Sequence, residues 1–431
     1  MILRKVLIVI VLSSYLCQLS AQNRAKLDNK NSLLVGQTVT IKSQFEGLPV
    51  VEPHISVNPQ NGDHLLVAGM IVTDPKRPYQ SCRLSSFVSL DGGKTWKETS
   101  HDWWGYDPWT GFSQDGKVAM SWIGTESSFK HQYPINFFFS DNGGIDWQES
   151  VQTENGNYDG TKISIRDNEF YFTTVRFRHD MGADVILYQS KDQYFNEVAR
   201  IDGDGTRLNF CEPAILSDGK VVVPAAKFLG ELWVQVFDPN LNELSAPYHV
   251  TNESGGARGY MRLTIDDNPQ SRFSDRLYFV RALGSKEQFG GVWINTSNDG
   301  GKTWSEDTRI DLFKGAINGR ALVPSVSVNN QGVLGISWVD TQDEFNKQDV
   351  YFTISLDGGV TFQRLVRVTD ISTDPRTEAN DDVANKFPGG GHYLGMDAKP
   401  DGSFQLIWSD SRSGFFELQT ANVQIISNEQ P

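Results

Sequence analysis

The stretch SLDGGKTW at residues 89–96 decides how this chain folds, because it recurs three more times. The other copies are SDNGGIDW at 140–147, SNDGGKTW at 297–304 and SLDGGVTF at 355–362, with a degenerate copy at 190–195. Each copy follows a strand-like segment of alternating apolar residues, and Asp-Gly or Asn-Gly provides the positive φ of a hairpin turn. Side chains of Ser, Asp and Thr can bond the turn's own backbone. Each copy therefore predicts a β-hairpin.

A second family of turns alternates with the first. Turn dipeptides separate strand-like runs about 50 to 70 residues apart, at 61–62, 115–116, 167–168, 218–219, 270–271, 331–332 and 401–402. Two hairpin turns per unit make four strands per unit, which is the blade of a β-propeller. Seven inner turns predict an all-β, seven-bladed propeller, with six blades as the alternative. The last unit has only three strands of its own, so the segment at 33–41 is predicted to add the fourth and close the ring.

The repeated motif resembles the Asp-box, or BNR repeat, of the sialidase superfamily. This resemblance implies a secreted propeller of bacterial type, with the boxes at outer turns and the active site elsewhere. Sialidases also carry an Arg-Ile-Pro motif early in the first blade, but residues 51–55 read VEPHI. Two of the family's three substrate-binding arginines map to Arg258 or Arg262 and to Arg320, whereas the first has no counterpart. The chain is therefore not expected to be a typical sialidase.

The composition and net charge argue against some classes of binding partner. The chain has 431 residues, 39% of them hydrophobic, and a net charge of −14, which gives no general electrostatic reason to bind nucleic acid or anionic membrane. Residues 1–21 are predicted to be a cleaved signal peptide directing secretion or export to the periplasm. The residues before Cys17 form a poor lipid-attachment motif. A polar linker at 22–32 and one propeller domain at 33–428 follow, and we expect a monomer; the spacing of Cys82 and Cys211 does not decide whether they pair.

Chain direction predicts which residues gather at the funnel of the propeller. Both families of turns point to one face, so the starts of the innermost strands lie on the other. The polar residues expected there are Glu52, Asp107, Asp159, Glu212, Arg258, Tyr260, Arg262, Arg320, His392 and Tyr393, with Arg178 on a neighbouring loop. The alternative is that the carboxylates are turn residues that cap strand starts. The aromatic run at 103–109 is interpreted as a sugar-stacking surface or as packing between blades, and the connection at 370–391 as a lid or a flexible insertion.

Three functions remain open from these residues. In a glycoside hydrolase acting on an anionic sugar, Glu212 would activate Tyr260 as the nucleophile, Asp107 would be the acid/base, and Arg258, Arg262 and Arg320 would clamp the anion. Glu52, Asp159, Arg178, His392 and Tyr393 would complete the binding site. A polysaccharide lyase would use His or Tyr with Arg, for which His131, Tyr171, Arg176 and Arg178 supply the residue types. The third is a non-catalytic glycan- or protein-binding propeller. No motif for nucleotide, haem or zinc is present, so no cofactor or metal is expected.

Overall fold

The computed structural model describes residues 31–80, 82–99, 103–124, 133–180, 182–191, 194–227, 230–254, 260–283, 291–311, 320–342 and 347–427. Seven antiparallel sheets form a ring, as the spacing of the turns predicts. Blades I to VI follow one another along the chain, and blade VII combines the two ends of the propeller. The predicted seven-bladed fold is confirmed, and the six-bladed alternative is wrong.

The strands run from the innermost to the outermost position in each of the first six blades. Blade I contains β3 (Val50–Asn58), β4 (Asn61–Val72), β5 (Cys82–Ser89) and β6 (Lys97–Glu98); blade II contains β7 (Tyr106–Phe112), β8 (Val118–Ile123), β9 (Ile135–Ser140) and β10 (Val151–Gln152). Blade III contains β11 (Tyr158–Arg166), β12 (Glu169–Phe177), β13 (Ala183–Lys191) and β14 (Tyr194–Ile201). In blade IV the inner strand is split into β15 (Leu208–Asn209) and β16 (Ala214–Ile215), followed by β17 (Val221–Lys227), β18 (Leu232–Phe237) and β19 (Tyr248–Thr251).

Blades V and VI repeat the four-strand pattern. Blade V contains β20 (Met261–Ile265), β21 (Leu277–Leu283), β22 (Gly291–Ser297) and β23 (Thr308–Arg309); blade VI contains β24 (Arg320–Val328), β25 (Leu334–Gln342), β26 (Lys347–Ser355) and β27 (Val366–Arg367). Most of the inner strands are buried along their length, because neighbouring blades pack against both of their faces.

Blade VII closes the ring with strands from both ends of the propeller. Its inner strands are β28 (Gly395–Ala398), β29 (Phe404–Asp410) and β30 (Glu417–Ser427). Two short strands, β1 (Asn31–Val35) and β2 (Val39–Ile41), pair antiparallel with β30. The predicted closing segment at 33–41 is thus confirmed, in two pieces. It covers an edge that would otherwise expose unpaired backbone groups.

The Asp-box turns are held as the motif predicts. In the first box, Asp91 accepts hydrogen bonds from the backbone N–H groups of Lys94 and Thr95 and from the Thr95 hydroxyl at 2.6 Å. The Thr95 side chain is the main cause that lowers the pKa of Asp91 to about 2. Trp96 donates from its indole N–H to Gly93 O at 3.0 Å and packs on a core cluster. These bonds lock the turn to its own blade.

The long connection before blade VII is packed rather than loose. It contains a short helix, α1 (Asp381–Lys386), and a 3₁₀ turn (Pro388–Gly390). Val383 and Phe387 are fully buried against Val51, Met70 and Phe416. The described part of this segment is therefore built into the wall of blade I.

Cys82 and Cys211 are not joined by a disulfide, which resolves the question that their spacing left open. The Cys82 thiol donates to Pro78 O at 3.1 Å, and Cys211 is completely buried. Within the part of the chain that the structure describes, no helix is both long and apolar enough to cross a membrane.

Candidate functional site

A backbone irregularity near the start of the inner strands positions the candidate residues. The register shifts by one residue between Val51 and His54 in blade I and at the corresponding places in blades II, III and VI. The residues in these bulges with positive φ are Glu52 (55°), Asp107 (54°), Gly160 (68°) and Val323 (43°). A bulge turns a side chain away from the regular alternation, so two adjacent blades present carboxyl groups at the funnel face, where the innermost strands begin.

Glu52 and Asp107 form a carboxyl pair. Glu52 is fully buried, whereas Asp107 is partly exposed. Burial, followed by the charge of Glu52 and a hydrogen bond to it, raises the pKa of Asp107 well above its usual range. Both Asp107 and the Tyr393 hydroxyl interact with the Glu52 carboxyl group. Two carboxyl groups this close disfavour ionisation of Asp107, which therefore holds its proton to a higher pH than an ordinary aspartate.

His392 orients this pair from blade VII. Its Nδ1 lies 2.7 Å from Glu52 Oε1. The ring packs against Phe387, with centroids 5.8 Å apart, which ties His392 to the end of the α1 segment. Gly391 precedes it with a φ of 153°, and a Cβ there would lie 2.8 Å from Glu52 N. The lack of a side chain at Gly391 therefore allows this segment to approach Glu52 closely.

A buried cation lies beneath the carboxyl pair. The Lys162 ammonium is 3.7 Å from the ring centroid of Trp109 and 3.9 Å from that of Tyr393. Burial is the main cause that lowers the pKa of Lys162 to about 8, while Glu212, Asp107 and Glu52 oppose the shift. Burial also raises the pKa of Tyr393 well above its usual range. The Tyr393 hydroxyl donates to Pro108 O at 3.0 Å, so blades II, III and VII meet in this layer.

Glu212 and Arg262 form a second, nearly buried charge pair. Arg262 Nε lies 2.5 Å from Glu212 Oε1, and the guanidinium stands 4.8 Å from the Trp109 ring centroid. Arg262 also donates to Leu394 O at 3.3 Å. The Arg262 guanidinium thus interacts with protein groups from blades II, IV and VII.

A polar cavity of about 260 Å³ occupies the central channel toward the turn face, where the inner hairpin turns lie. Glu212, Arg262, Trp109 and His54 line it, together with Asp397, whereas Glu52, Asp107 and His392 do not. Burial is the largest cause that lowers the pKa of His54 well below its usual range, with Arg262 and Lys162 adding to it. The layer of Trp109, Lys162 and Tyr393, each at most 4% exposed, lies between the carboxyl pair and this cavity.

The structure brings together most, but not all, of the residues predicted from sequence. Glu52, Asp107, Glu212, Arg262, His392 and Tyr393 converge on the channel. Asp159 is shifted by one residue, because Gly160 holds the bulge position that Glu52 and Asp107 hold in their blades. Arg178 forms ion pairs with Asp180, Asp184 and Asp202 instead.

The predicted nucleophile lies in a hydrophobic setting, and only one of the two remaining arginines is described. Tyr260 is 7% exposed and belongs to a hydrophobic cluster with Leu322 and Val323. The ion pair recorded for Glu212 is with Arg262. Arg320 lies at the start of β24, opposite Thr341 of β25. Arg258 lies outside the described residues, as does His131.

Lys162 and His54 are the site residues that sequence reasoning missed. Both lie two residues after a bulge position, Gly160 and Glu52 respectively. Alignment of the blades on the bulge would have revealed them. The aromatic residues at 103–109 have different roles. Trp103 stacks on Phe138 within blade II, with ring centroids 4.3 Å apart, whereas Trp109 lines the channel.

No group of three or more His, Cys, Asp or Glu side chains arranged to hold a metal occurs among the residues that the structure describes. The groups that meet at the channel are carboxyls, imidazoles, a phenol and two cationic side chains. Of these, the carboxyls and imidazoles are the ones that most readily exchange protons with a bound molecule.

Comparison with known proteins agrees with the fold. The BNR/Asp-box repeat model matches residues 87–98, which contain the first box, so the resemblance to Asp-box propellers is confirmed. No curated protein matches the chain significantly in sequence. A similar solved structure is the BP39L lectin from Burkholderia pseudomallei, with 12% identity over 89% of this chain and 98% of that chain and a TM-score of 0.54.

Two further solved structures are less similar. The GH93 α-L-arabinofuranosidase of Fusarium graminearum with arabinobiose has 14% identity over 90% of this chain and 98% of that chain, with a TM-score of 0.49. The intramolecular trans-sialidase from Ruminococcus gnavus has 12% identity over 89% and 96%, with a TM-score of 0.40. At such identities the likeness concerns the fold alone.

Proposed function

We propose that this protein is a glycan-processing enzyme, a glycoside hydrolase whose general acid is Asp107. The observation that carries the proposal is the carboxyl pair of Glu52 and Asp107 at the funnel face, in which the pKa of Asp107 is raised well above its usual range. A carboxyl group that stays neutral near neutral pH can donate a proton to the glycosidic oxygen as its bond to the anomeric carbon breaks. Asp107 is the partly exposed member of the pair, so it is the one that faces a substrate.

The groups around Asp107 have supporting roles in this proposal. Burial and, after it, the neighbouring Glu52 keep the pKa of Asp107 raised, and the His392 Nδ1 lies 2.7 Å from Glu52 Oε1 and orients it. The nucleophile expected from sequence, Glu212 acting on Tyr260, is not part of this proposal, because Tyr260 packs in a hydrophobic cluster and Glu212 pairs with Arg262 on the cavity side of the buried layer. Lys162 and Arg262 are engaged by aromatic rings and by Glu212, so the clamping of an anionic sugar falls to Arg258 and Arg320 in this proposal.

The test is a reducing-end assay on sialosides, uronate polymers, sulfated polysaccharides and arabinan. We expect Asp107→Asn to lower the rate on a cleaved substrate at least about 100-fold, the usual contribution of a general acid. The matched control is Asp115→Asn, a carboxylate of an inner turn that bonds Ser113 and lies on the opposite face. Full activity of Asp107→Asn would overturn the assignment. Product absorbing near 230 nm, about the wavelength of an unsaturated uronate, would indicate a lyase instead.

The second candidate is a non-catalytic sugar-binding propeller. The similarity to a lectin and the closed layer of Trp109, Lys162 and Tyr393 favour it. Binding of a glycan without any new reducing ends, in the same panel, would select this candidate.

The cellular location and the oligomeric state are also proposals. We propose that residues 1–21 are removed on export and that the protein acts as a secreted or periplasmic monomer. Sequencing the N-terminus of the exported protein and measuring its mass in solution would test both points.

A further inference from the structure

A second pocket, of about 340 Å³, lies between blades III and IV. One wall is the connection from β14 to β15, with Asp202, Gly203, Asp204 and Thr206. The opposite wall comes from β17, β18 and β19 of blade IV, and includes Trp233. None of its lining residues lines the central channel cavity, so this pocket is separate from the candidate active site.

The first wall is preformed by its backbone. Asp204 has a φ of 45° and Gly205 of 74°, so two successive residues adopt the left-handed conformation. Thr206 N–H donates to Gly203 O at 2.7 Å and closes the turn. A Cβ at Gly203 would collide with the carbonyl oxygens of Thr206 and Ala183. A turn held this tightly presents the exposed Asp204 at a fixed place.

The opposite wall combines an aromatic ring with polar groups. Trp233 is partly exposed, and its ring packs on the core between blades III and IV. The Lys227 ammonium lies 6.0 Å from the ring centroid and 3.5 Å from Glu231 Oε2. His249 stands across the strand pair from Trp233, and the buried Leu208 lies in the lining.

This set of groups matches the two-sided chemistry of a saccharide. A sugar ring has an apolar C–H face that stacks on an aromatic ring, and a rim of hydroxyls that needs both donors and acceptors. Trp233 and Leu208 offer the apolar surface. Lys227 and His249 can donate, and Asp204 and Glu231 can accept. The volume is in the range of small-molecule sites.

We infer that this pocket between blades III and IV is a saccharide-binding site, in which Trp233 is the stacking platform and Lys227, Glu231 and Asp204 bind hydroxyls. The site is independent of the chemistry at Asp107. It would hold one or two sugar units of a glycan away from the channel.

Fluorine NMR on protein containing 5-fluorotryptophan tests the site directly. The chain has 11 tryptophans, and Trp233→Phe identifies the Trp233 signal by its loss. The probes are methyl glycosides of arabinose, galactose, mannose and xylose, each titrated singly in the millimolar range. We expect the Trp233 signal to shift in a saturable way with at least one probe. The Trp304 signal serves as an internal reference, because this side chain packs on the core of blades IV and V.

Two variants make the result specific. Glu231→Gln should weaken the binding seen at Trp233 about fivefold, the effect of losing one charged hydrogen-bond acceptor. Glu243→Gln, an exposed carboxylate outside the pocket, should leave it unchanged. The inference is overturned if the Trp233 signal stays fixed with all four probes, or if Glu231→Gln binds as tightly as the wild type. Asp107→Asn should retain the shift, which separates failure of this site from failure of the proposed hydrolase.

Discussion

Glu52 and Asp107 come together because each occupies the bulge of its own inner strand. Both have φ near 55°, a conformation that is costly for a residue with a side chain. Val323 adopts it in blade VI and Gly160 in blade III, so the strained backbone belongs to the blade architecture. What distinguishes blades I and II is that the side chains at this position are carboxyls.

The pH dependence of stability should report the proton on Asp107. Its pKa is raised above that of the unfolded chain, so folding is favoured at low pH and the native state loses stability as pH rises through the raised pKa. We expect the melting temperature of the wild type to fall more steeply than that of Asp107→Asn as the pH rises above about 4, the usual pKa of an aspartate. Thermal melts over this range measure the difference.

The control for this experiment is Asp115→Asn. Hydrogen bonding lowers the pKa of Asp115, so its effect on stability is confined to acid pH, below the usual range of a carboxyl. Parallel curves for the wild type and Asp107→Asn would contradict the raised pKa of Asp107.

At the scale of elements, the Asp-box is a turn whose side chains replace missing backbone partners. In the fourth box Asp357 bonds the N–H of Val360, the N–H of Thr361 and the Thr361 hydroxyl. In the second box Asn142 takes this position, and its amide instead donates to Asp146 at 2.9 Å. In the second box Asn replaces the Asp and Asp replaces the Thr. The side-chain hydrogen bond between the two positions is kept, but its donor and acceptor are exchanged.

Removing the box carboxylate should therefore destabilise the protein. We expect Asp357→Ala to lower the free energy of unfolding by about 2 kcal/mol, since four hydrogen bonds, including one from the Ser355 hydroxyl, are lost at a partly exposed site. Asp141→Ala removes a carboxylate that bonds only the side chain of Gln148 in the structure, and should cost less than about 0.5 kcal/mol. Urea denaturation compares the two, and equal losses would contradict the structural role of the box.

The α1 segment makes a different contribution, because it delivers His392 to Glu52. We expect Gly391→Ala to destabilise the protein by about 2 kcal/mol, as its Cβ would meet backbone atoms of Glu52 at 2.8 and 2.9 Å. Gly414→Ala is the matched control: Gly414 also has a positive φ, of 96°, but a Cβ there meets nothing within 4 Å. If the two variants unfold at the same urea concentration, the close approach to Glu52 is not a constraint.

At the scale of the whole molecule, stability depends on closing the ring. Blade VII is completed by β1 and β2, which pair with β30 far along the chain. Contacts of such large sequence separation form late in folding, because the whole loop between them must be closed. An unclosed ring would expose a long edge strand.

Truncation tests this closure. A chain starting at residue 39 lacks β1, and we expect a melting temperature lower by several degrees and a tendency to aggregate. A chain starting at residue 31 retains both closing strands and should behave as the full-length protein does. Calorimetry with light scattering measures both effects. Equal melting temperatures for the two truncated chains would show that β1 does not close the ring.

Sequence alone determined the architecture of this protein, because hairpin turns and alternating apolar strands are local patterns that repeat visibly along the chain. The seven blades, the closing segment at 33–41 and the gathering of Glu52, Asp107, Glu212, Arg262 and His392 follow from turn spacing and chain direction. Tertiary structure decided which of these groups touch: a one-residue bulge displaced Asp159 and placed Lys162 over the rings of Trp109 and Tyr393, and the packing of blades IV and V paired Glu212 with Arg262. The physical reason is that side-chain direction reverses with every residue of a strand, so a single extra residue, invisible in the periodicity, decides which side chain faces the channel.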